Sequence, residues 1–208
     1  ANVGELIPYF SKSDNNIEYI GFEPDAEIYQ ALEKNFVLKK GKIYQTGLSD
    51  NEEIQKLYID STGADTSLEK SDSDTYSNVQ VKKLDSYNFQ KVKLIKIDVE
   101  SMEHQVILGA VNTIISHKPV IAFEQNVKEF IEPYNETKTI DFLRTLGYEM
   151  FWLKNQTTKI PWVIRRIKNI YQLFFGYVQK REIISNTKVP RGSHNMILAI
   201  HKDNIKDI

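Results

Sequence analysis

The stretch Ile95-Lys96-Ile97-Asp98-Val99-Glu100-Ser101-Met102-Glu103 puts two acids where an apolar run ends and a helix is expected to begin. In an open α/β sheet the carboxyl ends of the strands line the crevice where ligands bind. Two more apolar runs end the same way, at Ile20-Gly21-Phe22-Glu23-Pro24 and Val120-Ile121-Ala122-Phe123-Glu124. Three strands, each delivering a carboxylate to one edge, read as one site. Asp98, Glu100 and Glu124 are candidate general bases. Clustered carboxylates raise one another's pKa, and a positioned base typically contributes about 10²- to 10⁴-fold. With Asn126, the same acids could instead hold a hard divalent cation through oxygen ligands, although the expectation is a metal-free site. Gly4 precedes a first helix, and Glu23 follows at about the spacing at which a strand-end carboxylate accepts hydrogen bonds from ribose hydroxyls. The plainer alternative for Glu23 is a solvated strand-end charge.

These residues need a frame of alternating elements. Leu6 to Phe10 suggests a short helix, Ile17 to Glu23 a buried strand ended by Pro24, and Asp25 a cap for the next helix. Ile28, Leu32 and Phe36 fall on one face of that helix. Lys42 to Leu48 and Ile54 to Ile59 read as strands, and Asp60 to Asn78 as a mobile polar loop. Val79 to Leu84 is a strand, with Asp85 capping a turn. Val92 to Ile97 is a strand, Met102 to Ser116 a helix, and Val120 to Glu124 a strand. Thr137 to Leu146 is a helix stopped by Gly147, Tyr148 to Leu153 a strand, and Met196 to His201 a final strand after a turn over Lys188–His194. Strands alternating with helices imply an α/β fold on a mostly parallel sheet.

The segment Trp162–Val178 differs. Its apolar stripe (Val163, Ile167, Ile170, Phe174 and neighbours) faces away from Arg165, Arg166 and Lys168. It reads as a basic amphipathic helical insertion near 157–182, packed on the domain or serving as a lid, a membrane contact or a partner surface. At 208 residues with net charge −1, the chain is expected to be a single domain without the basic field that holds nucleic acid. It has no cysteine, which excludes disulfides and thiolate sites and fits a cytoplasmic location, membrane-peripheral if residues 162–178 touch lipid. His104, His117, His194 and His201 show no metal-ligand spacing; His194, just before the last strand, is the one worth testing as a base. Tyr76 and Tyr87 are candidates to face an acceptor pocket.

A family resemblance rests on the order of many short motifs. They are Ala1-Asn2-Val3-Gly4, Phe22-Glu23-Pro24 with Leu32 and Asn35, Leu48-Ser49-Asp50, Thr66-Ser67-Leu68 and Leu84-Asp85. Lys96-Ile97-Asp98-Val99-Glu100, Glu103, Leu108-Gly109-Ala110, Lys118-Pro119 and Phe123-Glu124 follow. From Ala1 to about Glu124, and again over Asn195–His201, the chain resembles the FkbM family of S-adenosylmethionine-dependent methyltransferases. The resemblance implies a Rossmann-like class I methyltransferase sheet with an antiparallel last strand. It also implies S-adenosyl-L-methionine as cofactor and a hydroxyl acceptor on a sugar, glycolipid or natural product. Carried over, Asn2 and Gly4 belong to the loop around the methionine portion, Glu23 is the ribose ligand, and Ser49 and Asp50 line the adenine. Asp98 and Glu100 face cofactor and acceptor. Two departures stand out. The family's loop begins with an acid and a glycine after a strand, all upstream of Ala1, so the expectation is an N-terminally truncated chain without its first strand. Where the family has glycine this chain has Ser101, a residue able to cap a helix and to tighten the pocket.

Two other classes remain open. A nicotinamide-dependent oxidoreductase would use Glu23 equally well, and a non-catalytic methyltransferase-like module would hold the cofactor poorly or not at all. A nucleic-acid methylase is disfavoured by the charge balance and by the lack of an Asn/Asp-Pro-Pro-aromatic segment.

Overall fold

The computed structural model describes residues 18–35, 41–59, 66–67, 76–99, 101–130, 136–154, 182–186 and 188–205. The helix at Leu6–Phe10, Phe36, most of the polar loop, Glu100 and the Trp162–Val178 stripe lie outside them, as do Asn2 and Gly4. The described residues form two compact units: those up to Tyr87 with Leu108–Ala110, and those from Asn88 to Ile107 with those from Val111 onward.

In the first unit, β1 (Tyr19–Phe22) leads to α1 (Ala26–Asn35) and returns as β2 (Gly41–Tyr44), parallel to β1. Pro24 ends β1, and Asp25 caps α1: its Oδ1 accepts the Glu27 and Ile28 N–H groups, each at 2.9 Å. Ile28 and Leu32 pack with Tyr19 and Ile43, so the helical periodicity delivered the face that covers this pair of strands.

The single strand expected over Lys42–Leu48 is two pieces. The chain turns at Gln45–Thr46, where Thr46 N–H reaches back to the Tyr44 carbonyl at 2.9 Å. Thr46 Oγ1 donates to the Gln80 carbonyl at 2.8 Å, drawing β3 (Gly47–Leu48) into a different sheet. That sheet has the order β3-β6-β4-β5, with β4 at Glu53–Ile59, β5 at Thr66–Ser67 and β6 at Tyr76–Lys82. The polar loop expected up to Asn78 therefore contains β5 and the start of β6. Leu57, Val79 and Val81 bury one face of the β4–β6 pair, and the open face tolerates Asn78 and Gln80. A 3₁₀ turn over Leu84–Tyr87 follows, at the place where Asp85 was expected to begin a turn.

In the second unit, β7 (Leu94–Ile97) leads through α2 (Glu103–Leu108) and α3 (Val111–His117) to β8 (Val120–Gln125), parallel to β7. The expected continuous helix over Met102–Ser116 breaks at Gly109–Ala110. There the Gly109 carbonyl accepts the Asp85 N–H at 3.0 Å and so leaves the helical ladder. After a 3₁₀ turn at Val127–Glu129, α4 (Lys138–Thr145) is capped by Thr137, whose Oγ1 accepts the Ile140 N–H at 3.3 Å. Gly147 stops that helix at φ 85°, as expected of a glycine after a helix end.

β9 (Tyr148–Lys154), β10 (Glu182–Asn186) and β11 (His194–His201) complete a sheet of order β10-β9-β11-β8-β7, and α5 (Lys202–Ile205) closes the described chain. The sequence reading did not contain β10. β11 runs antiparallel to both β8 and β9, and β10 antiparallel to β9. β11 is thus the antiparallel last strand that was expected, and β7, β8 and β9 run in one direction around it; among the described strands, parallel pairing joins β1–β2, β3–β6 and β7–β8, so the fold is mixed α/β. Ala122, Phe151, Met196, Leu198 and Ile200 form the core beneath one face of the larger sheet. Among the described residues no helix is long and apolar enough to cross a membrane.

Candidate functional site

In the first unit, Glu23 leaves the carboxyl end of β1 almost wholly buried, 4% exposed. Its Oε1 accepts the Asp25 N–H at 3.1 Å, and its own N–H bonds the Tyr44 carbonyl at 3.0 Å. Tyr19 lies two pleats upstream on the same side, its ring over Gly21. Burial raises the Tyr19 phenol above its ordinary value, and the charge of Glu23 raises it further. Glu23 is thus a fixed carboxylate and not the solvated strand-end charge of the plainer reading. Beside it, Phe22 stacks on Tyr44 at 5.5 Å, and Tyr87 meets both rings edge-on at 5.0 and 4.8 Å. Burial raises the Tyr87 phenol, partly offset by a hydrogen bond with the Thr46 side chain. Tyr76, the other tyrosine singled out, stands opposite Tyr58 on the open face of β6 under the Lys56 ammonium, 4.0 Å from its ring centroid.

Ser49 and Asp50 follow β3. Ser49 is 1% exposed; its hydroxyl donates to Asp50 Oδ1 at 3.2 Å and its N–H to the Lys82 carbonyl at 3.0 Å. A Cβ on Gly109 would lie 2.0 Å from the Ser49 carbonyl oxygen, so only glycine permits this approach. Three separate sequence motifs, Leu48-Ser49-Asp50, Leu84-Asp85 and Leu108-Gly109-Ala110, therefore meet at one junction through backbone contacts.

In the second unit the β7–β8 register pairs Ile97 with Phe123, so Asp98 and Glu124 are the next residues at the carboxyl ends of neighbouring strands. Their surroundings differ. Asp98 is exposed and ion-paired with Lys96 at 2.6 Å. Glu124 lines an open pocket of about 180 Å³ with Ser101, Glu103, Gln125, Asn126, Glu129, Ser193 and His194. Asn126 is committed as an N-cap: its Oδ1 accepts the Lys128 N–H at 3.2 Å, and Glu129 returns to the Asn126 N–H at 2.8 Å. The described residues contain no cluster of three or more metal-binding side chains.

Ser101 does not cap the helix. Its φ is 75°, in the left-handed region, and the first helical hydrogen bond runs from Val106 N–H to the Met102 carbonyl. The residue type the family uses here is the one this conformation favours. Glu103 is 2% exposed, and its Oε1 accepts the Val99 N–H at 3.5 Å, holding the turn between strand and helix.

Of the pocket residues, Gln125, Glu129 and Ser193 were not expected at the site from the sequence. The spacing Asn126-x-x-Glu129 is a capping-box signature and would have folded Glu129 back toward β8. Nothing local marks Ser193.

The Methyltransferase FkbM domain family matches residues 1–150. A solved structure of methyltransferase FkbM from Methylobacillus flagellatus KT aligns at 17% identity with a TM-score of 0.42, over 67% of this chain and 33% of that one. The chain thus spans about a third of that protein's length. No curated protein sequence matches.

Proposed function

Because the chain belongs to the FkbM methyltransferase family, we propose that it is an S-adenosylmethionine-dependent O-methyltransferase acting on a hydroxyl of a sugar, glycolipid or natural product. The observation that carries this reading is Glu23, a buried carboxylate held in one orientation at the carboxyl end of a parallel strand. That chemistry suits two neighbouring ribose hydroxyls, which need a fixed acceptor. The same reading assigns Asp50, whose Oδ1 accepts the Ser49 hydroxyl, to the adenine, and Asn2 and Gly4 to the loop around the methionine portion. The sheet is then the Rossmann-like class I arrangement with an antiparallel last strand, in a single methyltransferase domain with an insertion near 157–182.

When bound, the cofactor supplies a methyl carbon already activated by a sulfonium. The protein's own tasks are to align the acceptor, exclude water and remove the acceptor's proton. Asp98, Glu100 and Glu124 are the acids assigned to the acceptor side. The basic amphipathic segment 162–178 favours a large or lipid-linked acceptor and a cytoplasmic, membrane-peripheral location.

Incubation with methyl-labelled cofactor and a panel of glycans is expected to give base-stable methyl ethers. Label found only on protein or nucleic acid contradicts the reading. Calorimetric binding of S-adenosylmethionine, compared with a nicotinamide dinucleotide, separates it from the oxidoreductase alternative, and binding of neither would indicate a non-catalytic module.

A further inference from the structure

We propose that His194 is the general base of this reaction, taking the acceptor hydroxyl's proton on Nδ1; the proposal rests on the methyl-transfer reading above. His194 Nε2 lies 2.7 Å from the Pro190 carbonyl oxygen. A carbonyl can only accept, so Nε2 carries the hydrogen, and in the neutral ring the lone pair is on Nδ1. The ring lines the same pocket as Glu124 and stands 6.4 Å from Phe130 and 6.5 Å from Trp152.

A register slip places it there. Ile197 pairs with Phe123, so regular alternation would put Asn195 opposite Gln125; the bulge puts His194 opposite Gln125 instead. An extra residue of this kind re-aims a side chain at the end of a strand. The anchoring loop is fixed in turn. Glu136 takes a two-pronged ion pair from Arg144, at 2.7 and 2.8 Å, and accepts the Val189 N–H at 2.5 Å. Val189 is fully buried, and Pro190 follows it directly.

In the step itself, the acceptor O–H bond breaks and its proton bonds to Nδ1. The oxygen pair so released forms the new bond to the sulfonium methyl carbon, and the carbon–sulfur pair stays on sulfur. The imidazolium keeps its Nε2–H on the Pro190 carbonyl and returns the Nδ1 proton to water. Glu103, Glu124 and Glu129 are the titratable groups lining the same pocket. Glu129 is itself held by the Asn126 N–H and the Gln125 amide.

Two measurements on the full chain test this. In nitrogen NMR of the protein without cofactor, with His194 assigned from His194→Gln, the neutral ring is expected to show an unprotonated Nδ1. The opposite tautomer overturns the proposal whatever the methylation result. In single-turnover transfer to a glycan that the wild-type protein methylates in the panel, His194→Gln and His194→Asn are expected to slow the chemical step about 10²- to 10⁴-fold. Cofactor affinity should stay unchanged, and the acidic limb of the rate profile should be lost. An unchanged rate in a variant that still binds cofactor overturns the base role alone. A wild-type protein that binds cofactor but methylates no hydroxyl overturns the O-methyltransferase reading, and the base role falls with it.

Discussion

The Ser49–Gly109–Asp85 junction of the first unit and the Glu124–His194 pocket of the second are built from opposite materials. The junction is backbone against backbone: the Gly109 carbonyl takes the Asp85 N–H, and the Gly109 Cα packs on the Ser49 carbonyl. The pocket is open and lined by carboxylates, amides, hydroxyls and an imidazole. A segment assigned to an invariant cofactor can be set by main-chain packing that admits one residue type. A surface assigned to the acceptor is set by side chains, which can change without disturbing the fold. The sharpest way to break this contrast is Gly109→Ala. Its Cβ would meet backbone that cannot swing aside, so stability should fall by roughly 3 kcal/mol, the upper end of overpacking costs. Cofactor affinity should fall with it, whereas Ser193→Ala in the pocket should leave the thermal midpoint nearly unchanged. A Gly109→Ala protein as stable as wild type would show that the junction has slack.

The same contrast separates two acids that look alike in sequence. Glu23 and Asp98 both follow an apolar strand, yet one is buried and oriented while the other is exposed beside Lys96. Glu23→Gln removes the charged acceptor, for which a hydrogen bond is worth about 1.5–3 kcal/mol. The expected loss in S-adenosylmethionine affinity is therefore about 10- to 100-fold by calorimetry. Asp98→Asn breaks a partly exposed ion pair worth below about 1 kcal/mol in stability, so its thermal midpoint should barely move. Equal affinities for Glu23→Gln and wild type would remove the ribose assignment.

Buried phenols sharpen the comparison through pH. Tyr148 in the second unit donates to the Pro119 carbonyl at 3.0 Å, and burial pushes its phenol well above the ordinary value of 10.0. The folded state thus holds this proton more tightly than the unfolded chain does. Its contribution is fully present below pH 10, where both states are protonated. It is lost as pH rises further, by about 1.4 kcal/mol per pH unit until the folded phenol ionises too. Tyr148→Phe should cost about 1 kcal/mol at neutral pH through the lost hydrogen bond, yet flatten the alkaline decline in urea-melt stability. An equally steep decline in the variant would assign it elsewhere, Tyr19 and Tyr87 being further phenols that burial raises.

What could be read in the chain beforehand follows from how local each cause is. Asp25 as a cap, the Ile28–Leu32 face, Gly147 as a stop and Thr137 at a helix start are all set within a few residues, and each appears as expected. The failures are long-range. Lys42–Leu48 is divided because Thr46 bonds Gln80, thirty-four residues away. The helix after Met102 breaks because Gly109 is claimed by Asp85. β6 starts inside a polar stretch because Leu57 supplies its buried partner. For the site, Glu124 stood out as a strand-end acid and His194 only as a histidine before a strand. Its place in the pocket depends on a bulge that no local pattern announces. The charge environment of Asp98 was equally hidden, although Lys96 lies only two residues upstream on the same face.

The smallest expected effect tests the boundary between fold and site at Ser101. At φ 75° a residue with a Cβ is strained by about 1–2 kcal/mol relative to glycine. Glycine in turn loses more backbone freedom on folding, at a cost of about 0.5–1 kcal/mol. The difference favours Ser101→Gly by roughly 0.5–1 kcal/mol, a small rise in thermal midpoint. Ser101 also lines the pocket, so removing its hydroxymethyl group should widen the acceptor side. If serine is retained as a wall of the pocket, the glycine variant gains stability and accepts bulkier hydroxyl substrates at the expense of its preferred one. If stability rises while acceptor preference is unchanged, the side chain points clear of the acceptor, and the strain at this turn is unrelated to specificity.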